Sequence, residues 1–310
     1  MPSFTVFKGQ KDGIPRQSTT TKPDELTSDN VYVRITASGK GQDMVLGHEG
    51  IGVVESTGPD VKYLKAGDRV GWGCLTGHET YCAEAALYGS SNPDQGSFAT
   101  NAVWREAFLH RIPDDMSDEV AAPLQCGGAT TFTALQGIKS TDTVGIMGVG
   151  GLGHLAIQFA ARMGCRVVVF SGSEAKKAQA LALGADEFVA TKGATSLSVS
   201  RPVNRLLVTT SAQPQWDLIL PVMAPRSAIY PLSVSSGNFE IPYMPLIEHG
   251  INVQGSLVAP RHLHREMLDF AARHRIEPIV EKFPMNEEGI KTALDKLEKG
   301  DVHYRAVLIN

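Results

Sequence analysis

Apolar and polar positions change rhythm once along this chain. Up to about residue 125 they form short apolar runs cut by turn residues: FTVF, VYVRITAS, GIGVVEST, the turn GPDVKYLKAGD, then RVGWG. Short, closely spaced runs with Gly, Pro and Asp between them predict a compact β-rich domain, in the manner of a partial barrel. From Ala121 the pattern lengthens. CGGATTFTALQGI predicts a helix, VGIM a buried strand, and residues 154–163 (HLAIQFAARM) a helix with apolar residues at helical intervals. Residues 165–171 (CRVVVFS) then read as a β-branched strand, and 174–183 as a helix stopped by Gly184. Further strands are predicted at RLLVTTS, DLILPVM, AIYPLSV and INVQGSLV, with 193–205 as the most loop-like stretch. A helix over Glu287–Lys299 and the strand YRAVLIN close the chain. Strands alternating with helices imply an α/β fold with a parallel sheet covered on both faces.

Composition adds few constraints. A chain of 310 residues can hold two domains with substantial cores, and 42% apolar with 20% charged residues is ordinary for a globular protein. A net charge of -4 gives no reason to expect nucleic acid or an anionic membrane as partner. No apolar run reaches the length of a membrane span, and MPSFTVFKGQKDGIPRQ lacks the apolar stretch of a signal peptide, so a cytoplasmic location is expected. Four cysteines are too few for a disulfide scaffold in a chain this long, which leaves metal ligands or inert thiols.

The most informative stretch is VGIMGVGGLG, residues 144–153. Gly148, Gly150 and Gly153 have the G-x-G-x-x-G spacing, with Gly151 and Leu152 between the last two. One glycine makes the tight turn, one lets backbone amides approach a pyrophosphate, and one lets helix and strand pack closely. The following helix offers its unpaired N–H groups and positive dipole end to the phosphates. The spacing alone is not diagnostic, but here it sits between a strand and a helix and leads into a second strand and helix. That is a parallel βαβ unit of the doubly wound Rossmann type, and it predicts a dinucleotide site. The second strand ends FSGSEAKK, without the terminal acid that would accept the ribose 2′-OH of NAD. Ser171, Ser173 and Lys176 (with Lys177) offer hydroxyls and positive charge instead, and Glu174 falls in the first helical turn, so NADP(H) is the expected cofactor.

Three other constellations could carry chemistry. His48 and Glu49 stand together just before a strand, either as a loop pair or as metal ligands. Cys126 opens the helix before the dinucleotide strand, as a small buried hydrophobe or as a ligand. Cys74 and Cys82 could close a metal loop only with two further ligands, since structural zinc takes four.

Taken together, GHEGIGVVESTG, VKYLKAGDRVGWG, AAPLQCGGATTFTAL, GVGGLGHLAIQFA, LGAD and KLEKGDVHYR resemble one family. It is the zinc-containing alcohol dehydrogenase branch of the medium-chain dehydrogenase/reductase superfamily, nearest the cinnamyl alcohol dehydrogenase type. The resemblance implies a GroES-like catalytic domain over residues 1–120 and 260–310, a Rossmann domain over 121–259, and an active site in the cleft between them. It implies a catalytic zinc held by His48 and Cys126, with Glu49 as a further ligand, and Asp43 as a candidate for the vacant corner. It adds Thr130 near the nicotinamide, Ser211 and Ser256 on its ribose side, and Arg305 reaching the pyrophosphate. A homodimer through an edge of the dinucleotide sheet is implied as well.

The resemblance also shows departures. The family's segment S-G-x-C-x-T-D-x-H is replaced by Ser38-Gly39-Lys40-Gly41-Gln42-Asp43 running almost directly into MVLGHEG, so the first zinc ligand and its proton-relay hydroxyl are missing. Cys74 and Cys82 match the third and fourth cysteines of the family's structural lobe, and the first two are missing. Even with His78 as helper, no structural zinc is expected.

Three readings of function follow. The first is an NADPH-dependent oxidoreductase that interconverts aldehydes or ketones and alcohols by hydride transfer, with a catalytic zinc or without one. The second is a zinc-free NADPH-dependent reductase of activated C=C or C=N bonds in conjugated substrates, with Tyr81 or His48 as proton donor. The third is a member that binds cofactor with little turnover.

Overall fold

The computed structural model describes residues 3–10, 14–38, 44–89, 92–235 and 237–310. The chain forms two compact units, Met1–Ala129 with Val258–Asn310, and Thr130–Leu257.

The first unit is built on a seven-stranded sheet, in which Val280–Pro284, Arg305–Ile309, Asn30–Ser38, Gly50–Thr57, Arg69–Trp72 and His110–Arg111 follow in order and Asn101–Arg105 also pairs with Asn30–Ser38. Its central strand shows why the sequence reads as it does: Val31, Val33 and Ile35 are buried while Arg34 between them is exposed, the period-two pattern of a strand with one face in a core. That core centres on Trp72 and Trp104, whose rings lie 5.2 Å apart among Val6, Val31, Val70 and Leu75. A helix over Arg261–His274, unanticipated from the pattern, buries His264, Met267, Leu268 and Ala271, which fall on one stripe at helical spacing.

The second unit is a six-stranded parallel sheet in the order Glu187–Ala190, Arg166–Ser171, Thr143–Met147, Val203–Val208, Met223–Pro231 and Asn252–Val253. This is the doubly wound order of a Rossmann fold, with the chain reversing direction beside the central Thr143–Met147 strand. That strand is buried at every position, as a strand covered on both faces must be.

Several expected elements differ in detail. DLILPVM is not a strand: Trp216–Ile219 is α-helical and Leu220–Val222 a 3-10 turn, and the strand begins only at Met223. Trp216, Ile219 and Leu220 are buried at i, i+3 and i+4, so a helical turn sinks the apolar side chains that an extended run would split between two faces. INVQGSLV contributes only Asn252–Val253 to the sheet. The helix expected from Cys126 starts as a π-turn over Leu124–Gly128 before Ala129–Ala134. Among the described residues no helix is long and apolar enough to cross a membrane.

His264 stacks on His110 with ring centroids 4.0 Å apart and interplanar angle 19°, and both are buried. Gln125 spends its Nε2 on the Ala121 carbonyl at 3.0 Å, so its Oε1 accepts from Nε2–H of His264 at 2.9 Å. Burial, helped by the charge of Arg265, pushes the His264 imidazole down to about 3, and burial and His264 hold His110 well below its usual range too. The unfolded chain therefore takes up the proton first as pH falls. Stability from the neutral form is complete above pH 6.5 and lost progressively toward pH 3. We expect this residue to cost about 2 kcal/mol between pH 7 and pH 5. Urea unfolding of His264→Leu should show a weaker base stability at pH 7 and a visibly flatter decline with acid.

Candidate active site

The glycine turn comes first. Gly148 takes φ +94°, which only glycine adopts without strain, and its N–H donates to the Phe170 carbonyl at 2.8 Å. A Cβ on Gly153 would stand 1.9 Å from the Gly148 carbonyl oxygen, so the helix Gly153–Arg162 can start there only without a side chain. A Cβ on Gly150 would meet nothing within 4 Å. The turn thus separates the three roles expected of its glycines: turn, close packing, and open approach.

Three successive carbonyls of this turn each accept from a side chain. Thr209 Oγ1 donates to Met147 O at 2.7 Å and shares its proton with Gly148 O at 3.2 Å, Lys176 Nζ donates to Val149 O at 2.7 Å, and His154 Nδ1 to Gly150 O at 2.8 Å. In a planar trans peptide the following N–H points opposite to the carbonyl, so these bonds turn the amides of Val149, Gly150 and Gly151 the other way. The helix cap position is Leu152, which makes no side-chain cap; the His154 and Leu155 N–H groups of the first turn donate to Gly150 O and Leu152 O, both at 3.1 Å. His154 and Thr209 belong to this site and were not singled out from the sequence.

A cavity of about 300 Å³ runs from Gly148 past Phe170, Ser171 and Gly172 to Thr191 and Lys192. Of the expected cofactor residues, Gly148 and Ser171 line it. Ser171 Oγ donates to Ser173 O at 3.3 Å, and Ser173 Oγ caps the next turn by accepting from Ala175 N at 3.2 Å. Ser211 lines a neighbouring cavity of about 160 Å³, Thr130 is buried near the start of its helix, and the Ser256 Oγ is buried without a partner.

The second cluster lies in the other unit. Gly73 packs directly on the π-turn: a Cβ there would come 2.4 Å from the Gln125 carbonyl oxygen. This contact sets Cys74 beside Cys126, whose sulfur takes hydrogen bonds from both Cys74 and His48. The Cys74 hydrogen bond, together with the charges of His48 and Arg305, holds the Cys126 thiol well below its usual range, while Cys74 is correspondingly pushed up. Burial works against charging His48, but the charge and hydrogen bond of Cys126 and the charge of Glu49 together raise the imidazole to about 9. His48 also tilts against the Tyr88 ring at 5.4 Å.

Glu49 is buried and accepts from Gly127 N–H at 3.2 Å, and Arg305 ion-pairs with its other oxygen. Burial raises the Glu49 carboxyl and Arg305 opposes that rise. Arg305, expected to reach a pyrophosphate, is placed here on Glu49. Cys74, expected with Cys82 as remnants of a structural lobe, is placed on Cys126, while Cys82 is exposed. Nothing in the local sequence signals this, because it depends on a contact between residues 73 and 125. Tyr81 and His78 are exposed, with His78 3.8 Å from Glu84. Lys40 and Asp43 lie outside the described residues.

Two family models match the chain. Residues 24–114 match the alcohol dehydrogenase GroES-like domain and 151–273 the zinc-binding dehydrogenase domain. A probable mannitol dehydrogenase of Mesembryanthemum crystallinum is 33% identical over 302 residues, covering 91% of this chain and 83% of that protein. This chain belongs to the zinc-containing alcohol dehydrogenase family. A probable cinnamyl alcohol dehydrogenase of Oryza sativa is 32% identical over 86% of this chain and 78% of its own length. Among solved structures, a cinnamyl alcohol dehydrogenase of Sorghum bicolor aligns with TM-score 0.87 and 27% identity over 99% of this chain and 98% of its own.

The family's name implies zinc. Among the described residues, no three His, Cys, Asp or Glu side chains form a group that could hold a metal ion. Glu49 is taken by Arg305 and Gly127, and the Cys126 sulfur by Cys74 and His48. Among the described residues, the donor set as arranged does not make up a metal site.

Removing one partner of a buried ion pair strands the other charge, and with Arg305 a quarter exposed the cost is about 2–3 kcal/mol. We expect Arg305→Met to lower stability by that amount in urea unfolding at pH 7. The double variant Glu49→Met with Arg305→Met should recover much of it.

Proposed function

We propose that this alcohol dehydrogenase relative interconverts aldehydes or ketones and alcohols by hydride transfer with NADP(H). The observation that carries the reading is the Gly148–Gly153 turn, with its glycine-only close passage and the cavity beyond it, in a chain of this family. The mannitol and cinnamyl alcohol dehydrogenases among its relatives support the substrate class, and a solved cinnamyl alcohol dehydrogenase in complex with NADP(H) shares the fold with TM-score 0.85.

In this reading the unit Thr130–Leu257 binds the dinucleotide. Gly148, Gly150, Gly151, Leu152 and Gly153 take the pyrophosphate. Ser171, Ser173 and Lys176 shape the adenosine end, and Thr130, Ser211 and Ser256 the nicotinamide end. The other unit carries His48, Glu49 and Cys126. Hydride addition to a carbonyl carbon moves the C=O π electrons onto oxygen, which then needs a proton. His48, kept protonated at neutral pH by the Cys126 thiolate, donates it and takes it back in alcohol oxidation. Arg305 holds Glu49 and so keeps a second negative charge near His48.

The test is NADPH oxidation followed at 340 nm over a panel of aldehydes, ketones and conjugated enones. Simple aldehydes should consume NADPH, and His48→Phe should lower kcat by about 100-fold or more. Gly150→Val should weaken NADPH binding at least tenfold while leaving the unfolding midpoint near wild type. Turnover abolished by a chelator and restored by zinc would remove His48 from the proton-donor role.

A second reading is favoured by the closed donor cluster itself. A reductase of activated C=C or C=N bonds acts on a substrate that carries its own electron-withdrawing group and asks for no Lewis acid. Enones reduced while simple aldehydes stay inert would select it.

The two-residue strand Asn252–Val253 ends the parallel sheet, and Val253, Ile247 and Tyr243 beside it are 43%, 64% and 81% exposed. This edge supports a homodimer. Light scattering should give twice the 33.3 kDa chain mass, falling to the chain mass in Ile247→Lys with Val253→Lys.

A further inference from the structure

Serine hydroxyls and Lys176 carry the NADP(H) signal in the sequence, yet the structure commits each of them locally. Lys176 Nζ braces the glycine turn at Val149 O, and Ser173 Oγ caps its own turn. Ser171 Oγ is tied to Ser173 O. The cation facing the adenosine cavity comes from elsewhere. Strand Glu187–Ala190 runs parallel beside Arg166–Ser171, with Ala190 opposite Ser171 and Thr191 N–H donating to Ser171 O at 2.8 Å. Two residues past that register Lys192 reaches the cavity wall, the one charged side chain among its lining residues. It is exposed, and among the described residues no hydrogen bond or ion pair engages its ammonium. Between Ser171 and Lys192 the wall stays open, since a Cβ on Gly172 would meet nothing within 4 Å.

We propose that Lys192 is the specificity-determining residue for a phosphate monoester on the adenosine ribose, the group that distinguishes NADP(H) from NAD(H). The inference rests on the cofactor reading above and deepens it. A lysine ammonium binds phosphate as a compact point charge and needs no fixed fork geometry, which suits a side chain reaching in from a strand end. Lys176 becomes a positioning residue, holding the Val149 carbonyl so that the Gly150 amide faces the pyrophosphate.

The experiment measures binding of 2′,5′-ADP and 5′-AMP to the full chain by calorimetry, for wild type, Lys192→Gln, Lys192→Arg and Lys176→Gln, with thermal unfolding of each as a fold check. Wild type should prefer 2′,5′-ADP by at least tenfold. Lys192→Gln should lose 10- to 30-fold in 2′,5′-ADP affinity with 5′-AMP affinity unchanged, as expected for one charge-assisted contact. Lys192→Arg should restore most of the preference, and Lys176→Gln should weaken both ligands alike. A wild type that binds both equally overturns the NADP(H) reading and this assignment with it. A wild-type preference that survives in Lys192→Gln, or vanishes in Lys176→Gln alone, overturns the assignment and leaves the cofactor reading standing.

Discussion

The nucleotide unit depends on one close passage, the start of helix Gly153–Arg162 over the Gly148 carbonyl. With 1.9 Å between that oxygen and the nearest position a Cβ could take, no other residue permits the helix to begin there. The same carbonyl accepts from Thr209, at the end of the next parallel strand, and the two following carbonyls accept from Lys176 and His154. Strand, turn and helix are thereby locked into one geometry before any ligand arrives. Preorganised amides need no reordering on binding, which is where much of the affinity for a diphosphate originates.

This constraint explains why the turn was legible in the sequence while its supports were not. Glycine spacing between an apolar strand and an amphipathic helix is local information, and so are the alternation in Val31, Val33 and Ile35 and the helix over Glu287–Lys299. Lys176 meets Val149 across 27 positions, and Lys192 reaches the cavity only because its strand pairs in register with Arg166–Ser171. A serine and lysine cluster after the second strand does mark the right end of the sheet. Which lysine faces the ligand is decided by register, which composition does not encode. DLILPVM failed for a related reason: a short apolar run serves a strand or a buried helical turn equally well, and packing of Trp216, Ile219 and Leu220 selects the latter.

The GHE and LQCGG residues show the same limit from another side. The motifs point to His48, Glu49 and Cys126 as one group, and the structure sets the three close enough to influence one another's charge. Their partners, Cys74 and Arg305, were assigned elsewhere because each sits in a segment whose local pattern suggests another role. Cys74 arrives through the bare backbone contact of Gly73 with Gln125, and Arg305 through the strand that returns the chain to the first unit's sheet.

Charge balance then determines what this cluster can do. Cys126, held low, sits against the raised His48 imidazole, and Glu49 faces the Arg305 guanidinium, so each group that can carry charge in this largely buried site has an opposite partner. Such a set tolerates burial because every charge has a counter-ion within reach. A divalent cation brought to the same anions would have to drive a proton off His48 and displace a guanidinium that never loses its own. Residue types usually read as metal donors have here become one another's counter-ions. In the proposed carbonyl chemistry, the proton that His48 holds is the one the reduced oxygen takes up.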